Sequence, residues 1–122
     1  MTTNVPTRRS TPTDLRGWLE RIDALGELQV VTGANAEEDI GMATELLSRH
    51  RPTKATVFDE IPGYRKGFRV LVNGLGSFTR IAATLGLPAD ATPHELVRLW
   101  QEKLLAGITP IPPVEVKDGP IF

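Results

Sequence analysis

The chain has 122 residues, 40% of them hydrophobic, and its 14 Lys and Arg set against 15 Asp and Glu leave a formal net charge of −1. That length fits one domain around one core, and the near-cancelled charge provides no basic field of the kind that drives non-specific binding to phosphate backbones. The absence of cysteine excludes a disulfide framework, a thiolate metal site and a cysteine nucleophile.

Residues 1–12 carry Thr, Ser, Pro and Arg without periodicity. Such a segment buries too little apolar surface to offset its ordering entropy and reads as a mobile tail. Arg8 and Arg9 have no apolar run behind them, so a secretory signal is not expected. No span approaches the roughly 20 apolar residues needed to cross a bilayer. A soluble, cytoplasmic protein is the expectation.

From Thr13 the pattern changes. Leu15, Trp18, Leu19, Ile22 and Leu25 recur at helical spacing and predict one buried stripe, with Thr13 as N-cap, Asp14 at the positive end of the dipole and Gly26 as the stop. Glu27–Val31 predicts a short strand, and Gly33–Ala36 a turn. Glu37–His50 predicts a second helix with Ile40, Ala43, Leu46 and Leu47 inward. Its acids lie in the first turn, Arg49 and His50 in the last, and Arg51-Pro52 ends it.

Ala55–Phe58 and Phe68–Asn73 predict the next strands, separated by the turn chemistry of Ile61-Pro62-Gly63-Tyr64. The second of these is apolar enough to be read as a central strand. Ser77 is placed to cap a third helix that runs to Leu85 and closes at Gly86. Thr92-Pro93-His94-Glu95 is a capping box with proline at the first helical position. It opens a fourth helix to about Leu105, with Leu96, Val97, Trp100 and Leu104 on its apolar side. After Gly107 the prolines at 110, 112 and 113 predict a stiff extended connector, with Val114-Glu115-Val116 as an edge strand. The order implies an α/β or α+β fold, a small mixed sheet packed with about four helices. The domain is bounded at 13–107, between the tail over 1–12 and the connector over 108–122.

Few constellations carry chemistry. Gly74-x-Gly76-Ser77, between strand and helix, could hold a phosphate on backbone N–H groups, with Arg80 assisting. Thr79 stands where the dinucleotide fingerprint wants a third glycine, and no Walker-type lysine follows, so a tight connection is the simpler reading and Arg80 a solvated helix residue. His50 and His94, the 2 histidines, are explained by helix ends rather than by catalysis or metal binding. Glu37-Glu38-Asp39 lacks the ligand spacing of a calcium loop. Asp59 and Glu60, adjacent on an extended backbone, point apart and read as turn formers. Ser10, Ser48 and Ser77 lack a nucleophile elbow. Arg65, Lys66 and Arg69 read as ordinary basic surface without interleaved stacking aromatics. Trp18 and Trp100 read as core, with a domain interface as the alternative.

Several segments, in order, resemble the first domain of the UbiD-type decarboxylases. These are Asp14-Leu15-Arg16-x-x-Leu19-Glu20, Gly26-Glu27-Leu28, Phe58-Asp59-Glu60-Ile61-Pro62-Gly63-Tyr64, Asn73 through Leu87, and Ile111-Pro112-Pro113 with Asp118-Gly119-Pro120. The resemblance implies an enzyme that removes or adds carboxylate on aromatic or unsaturated acids. It also implies a prenylated FMN, with Mn²⁺ and K⁺, held by a following domain that carries a Glu-Arg-Glu set. No position here matches that motif, so no catalytic, cofactor-binding or metal residue is assigned to this chain. The expected role is that of an N-terminal domain or a detached small subunit, inactive alone and joined to a larger catalytic chain in an oligomeric assembly. The apolar Ile121-Phe122 terminus favours a separate subunit that buries it against a partner. The alternative is a stand-alone phosphate- or nucleotide-binding or regulatory module that uses the Gly74–Gly76 turn.

Overall fold

The structure, a computed structural model, describes residues 14–119. The predicted tail, Thr13, Ser10 and Ile121-Phe122 lie outside the described residues. Helix α1 (Leu15–Ala24) is capped not by Thr13 but by Asp14, whose carboxylate accepts from the Gly17 N–H at 2.8 Å. An aspartate there combines a hydrogen bond with a favourable charge at the dipole's positive end. The helix ends in a Schellman motif, with Gly26 N–H on Asp23 O and Glu27 N–H on Ile22 O, and Gly26 takes the left-handed conformation (φ 72°) that this motif requires. Trp18 and Ile22 are buried, whereas Leu15, predicted on the same stripe, is exposed.

Strand β1 (Leu28–Thr32) pairs in parallel with β2 (Ala55–Asp59), from Leu28↔Ala55 to Thr32↔Asp59. A parallel pair needs a crossover, and α2 (Asp39–Arg49) supplies it. This helix starts two residues later than predicted because Asn35 does the capping. Its Oδ1 accepts from the N–H groups of Glu38 and Asp39, while Asp39 Oδ2 accepts from Asn35 N–H. No α2 residue is buried, and Leu46, predicted inward, is 71% exposed.

Strand β3 (Val70–Val72) pairs antiparallel with β2, giving the order β1-β2-β3. The predicted central strand is therefore an edge, and β2, buried from Ala55 to Phe58, occupies the middle. Phe68 stays outside the ladder because its N–H bonds to Arg65 O in a turn.

Ser77 caps α3 (Phe78–Leu85) by accepting from Arg80 N–H, and Gly86 (φ 69°) closes it. The capping box of α4 (Pro93–Leu105) is complete: Thr92 Oγ1 accepts from Glu95 N–H, and the Glu95 carboxylate accepts from Thr92 N–H at 2.9 Å. Leu96 faces inward beside Leu99 and Trp100, but Val97 and Leu104 are exposed, contrary to the predicted apolar face.

One core cluster joins Trp18 and Ile22 of α1 to Ala55 and Ala83; the other joins Ala82, Leu87 and Leu96. Among the described residues the architecture is a single small α/β domain of four helices on a three-stranded mixed sheet. Beyond Gly107 the chain is extended, as its prolines predict, but Val114–Val116 forms no strand and Ile111 and Val114 are almost fully exposed. No described helix is long and apolar enough to cross a membrane.

The capping box has a pH signature. Glu95 sits below the ordinary carboxylate value, chiefly through the Thr92 backbone N–H and then its hydroxyl, with Arg98 adding to the shift and desolvation opposing it. A carboxylate whose pKa falls on folding stabilises the fold once ionised, and that contribution fades as pH drops through the lowered folded value. The stability gap between wild type and Glu95→Gln should be full at neutral pH and close as the pH falls through and below the ordinary carboxylate range, read from urea midpoints. Thr92→Ala, which removes the side-chain cap, should cost about 1 kcal/mol in the same assay.

Candidate functional site

The turn from Asn73 to Ser77 joins β3 to α3, and its chemistry is decided by Arg80. Helix α3 is otherwise uncharged (Phe-Thr-Arg-Ile-Ala-Ala-Thr-Leu), and its arginine is fully buried, not solvated as the sequence reading expected. The helix packs against α1 through Ala83 and against α4 through Ala82, so a side chain from its first turn points into the domain. The guanidinium is satisfied there from several directions. Nε donates to Gly74 O at 3.1 Å, Nη1 to Thr53 O at 2.8 Å and to the Glu27 carboxylate, and Nη2 to Thr53 Oγ1 at 3.1 Å.

A second layer of bonds closes around it. Ser77 Oγ, which caps Arg80's own N–H, donates to Glu27 Oε2 at 2.8 Å, and Thr53 Oγ1 donates to Gly76 O at 3.0 Å. Asn73, at φ 56°, donates through Nδ2 to Lys54 O. Glu27 keeps part of its side chain in water, 23% exposed against 0% for Arg80. The carboxylate thus remains partly solvated while the guanidinium, more weakly hydrated and always charged, is the group taken inside.

This arrangement governs what the turn can bind. A phosphate cradle presents backbone N–H groups to the anion. Here Gly74 and Gly76 turn their carbonyls inward, to Arg80 and Thr53, and the nearby cation is already engaged. Gly76 is required by close approach: a Cβ would lie 2.8 Å from Asn73 Cγ, 3.0 Å from Arg80 Nη2, and in collision with Asn73 Oδ1.

Beside the turn an open apolar groove of about 420 Å³ is lined by Leu15, Trp18, Leu71, Gly74, Leu75 and Thr84. Trp18 Nε1 donates to Thr84 Oγ1 at 2.8 Å, which satisfies the indole and holds the ring as the groove's floor. Leu15 and Leu75 stand exposed at its rims.

The remaining candidates stay apart. His50 follows α2 and His94 opens α4, and both are exposed. No group of three or more His, Asp or Glu able to hold a metal occurs among the described residues. Asp59 Oδ1 accepts from Glu60 N–H, and Glu60 has φ 50°, in line with a turn-forming pair. Ser48 donates to Glu45 O within its own helix. The basic cluster needs correction: Tyr64 and Phe68, each 62% exposed, do interleave with Arg65, Lys66 and Arg69. Sequence reasoning missed Glu27 and Thr53 as partners of Arg80, since they lie 53 and 27 residues away. The available signal was a single charge in an otherwise apolar short helix.

These observations define an α/β domain that carries a structural ion-pair lock and an apolar groove. The family model described as the 3-octaprenyl-4-hydroxybenzoate carboxy-lyase N-terminal domain matches residues 19–100, so the chain belongs to the UbiD family as its N-terminal domain. A phenolic acid decarboxylase of Escherichia coli O157:H7 is 35% identical over 94 residues, which are 71% of this chain and 19% of that protein. The vanillic acid decarboxylase of Sedimentibacter hydroxybenzoicus in open form is similar with TM-score 0.69 and 27% identity, over 77% of this chain and 20% of that one. Its form with truncated ShVdcD gives TM-score 0.72 and 26% identity, over 80% and 21%. The chain therefore spans about a fifth of the length of the relatives it matches.

Arg80→Ala should destabilise the domain by about 3–5 kcal/mol, since it leaves a carboxylate and three other acceptors without their donor. Arg80→Lys should recover little of this, because one ammonium cannot serve Gly74, Thr53 and Glu27 together. Chemical denaturation of both variants checks the pair; a lysine variant as stable as wild type would contradict the lock.

Proposed function

We propose that this chain is the N-terminal domain or detached small subunit of a prenylated-FMN-dependent UbiD-type (de)carboxylase acting on aromatic or unsaturated carboxylic acids. The observation that carries the reading is the match over residues 19–100 to a carboxy-lyase N-terminal domain, alongside decarboxylase relatives of which the chain spans about a fifth. The described residues do not fit the flavin or its metals. Among the described residues no acid or histidine cluster would hold Mn²⁺, and the one turn with phosphate-like spacing has its carbonyls committed to Arg80 and Thr53. No catalytic step is therefore derived from these side chains.

What the chain supplies is a rigid body with unburied apolar surface. Leu105, Ile108, Ile111 and Val114 are between 65% and 91% exposed and follow one another from the end of α4 into the connector. Apolar surface presented in this way marks an interaction site, and the larger catalytic chain is the partner that the relatives suggest. The phosphate-binding module is set aside because its turn faces the wrong way for an anion.

The test is reconstitution. The purified chain with FMN or prenylated FMN and Mn²⁺ should neither bind the flavin nor decarboxylate a phenolic acid. Combined with a polypeptide that carries the flavin-binding remainder of a UbiD enzyme, it should form a stable complex with activity. Turnover by the chain alone would sink this reading.

A further inference from the structure

The loop between β2 and β3 and the start of α2 form the two rims of one polar groove of about 400 Å³, lined by Asn35, Ala36, Glu37, Glu38, Pro62 and Tyr64. One rim is acidic. Glu37 and Glu38 are exposed, and Asn35 fixes the backbone that bears them by accepting from Glu38 and Asp39 N–H. Beyond Tyr64 the loop of the other rim continues into Arg65, Lys66 and, past Gly67 and Phe68, Arg69, all exposed, so this loop is basic. Tyr64 N–H on Ile61 O and Phe68 N–H on Arg65 O hold this loop, with Gly63 at φ 84° and Gly67 at φ 97° making its bends.

None of Glu37, Glu38, Arg65, Lys66 and Arg69 belongs to an ion pair among the described residues, whose pairs are Arg49–Glu45, Arg80–Glu27 and Arg98–Glu102. Both signs therefore stand unpaired among the described residues, the acids lining the groove beside α2 and the bases on the loop that supplies its other rim, with two largely exposed aromatic rings, Tyr64 and Phe68, on that loop. Aromatic and arginine side chains are the types that anchor protein interfaces. A surface that carries its own complement is the requirement for an isologous contact: under a two-fold axis, each copy's basic rim meets the other's acidic rim.

We propose that this groove is a self-association surface whose occupant is a second copy of the chain, with the Tyr64–Arg69 loop of each protomer set against Glu37 and Glu38 of its partner. Nucleic acid fits less well. Three cations on a chain of net charge −1 release few counterions, and the acidic rim would repel a phosphate backbone. The inference does not depend on the decarboxylase reading.

A charge swap tests it on the full chain. Wild type should self-associate at low salt and dissociate as salt rises, by sedimentation velocity. The variant Glu37→Lys/Glu38→Lys and the variant Arg65→Glu/Lys66→Glu should each associate about tenfold more weakly or worse, since like charges then face each other. Their equimolar mixture should regain the wild-type dimer, because in the mixed pair one contact is native and the other is inverted but complementary. All positions are exposed, and circular dichroism of each variant confirms folding. A wild type that stays monomeric at low salt, a dimer indifferent to both variants, or a mixture no better than its components would each overturn the proposal. So would a monomer that binds poly(U) or anionic vesicles through the basic loop.

Discussion

A single buried guanidinium fixes the geometry of this domain. Arginine offers five N–H donors in a planar fork, and at Arg80 they reach Glu27 just before β1, Thr53 just before β2 and the turn before α3. These segments are distant in sequence and meet at one end of the sheet, where Ala55 N–H also donates to Glu27 O, and one side chain ties all of them. A charge taken out of water costs several kcal/mol unless its partners are in place, so an arrangement that displaced any of these segments would leave donors or acceptors bare. The requirement extends to Gly76, whose missing side chain makes room for Asn73 and Arg80. It extends also to Ser77, whose hydroxyl caps α3 and orients Glu27.

That lock explains why a motif suggestive of anion binding does something else. Glycines and a serine between a strand and a helix report that the backbone bends sharply and that a helix begins. They do not report which way the peptide planes face. With N–H groups inward the turn would cradle a phosphate; with carbonyls inward it coordinates a cation, and here the cation is the protein's own. The orientation follows from Arg80, whose burial depends on Glu27 and Thr53, and nothing local to the turn encodes those partners.

The same division between local and distant information runs through the fold. Helix ends were legible at Ser77, Gly86 and Thr92, because capping is a short-range bond, although at α1 the cap is Asp14 and not the adjacent Thr13. The start of α2 was misplaced since Asn35, several residues upstream, makes the bonds. Periodicity grouped Ile40, Ala43, Leu46 and Leu47, and likewise Leu96, Val97, Trp100 and Leu104, as shared inward faces, which the structure divides between half-buried or buried and exposed positions. It could not say whether a second layer covers those faces, and Leu46, Val97 and Leu104 are exposed. Nor could apolarity alone rank the strands. Phe68–Val72 looked central, but the parallel pairing of β1 with β2 puts β2 in the middle.

Among the apolar residues, the readings of burial failed in one direction, residues expected inside being outside, while Arg80 is the reverse case. The core itself is closed, with Ile22, Ala55, Phe58 and Ala83 completely enclosed. Exposed apolar residues occur on several faces, Leu46 and Val97 among them, and two stretches stand out: the groove rim, at Leu15 and Leu75, and the path from Leu104 to Val116. Each large apolar side chain buried on docking gains roughly 1.5–3 kcal/mol. The prolines at 110, 112 and 113 restrict the free connector, so less conformational entropy is lost when it is held. An extended segment that is stiff, apolar and unpartnered is thus set up to dock at little entropic cost. The Arg80 lock keeps the domain that presents this segment in one shape.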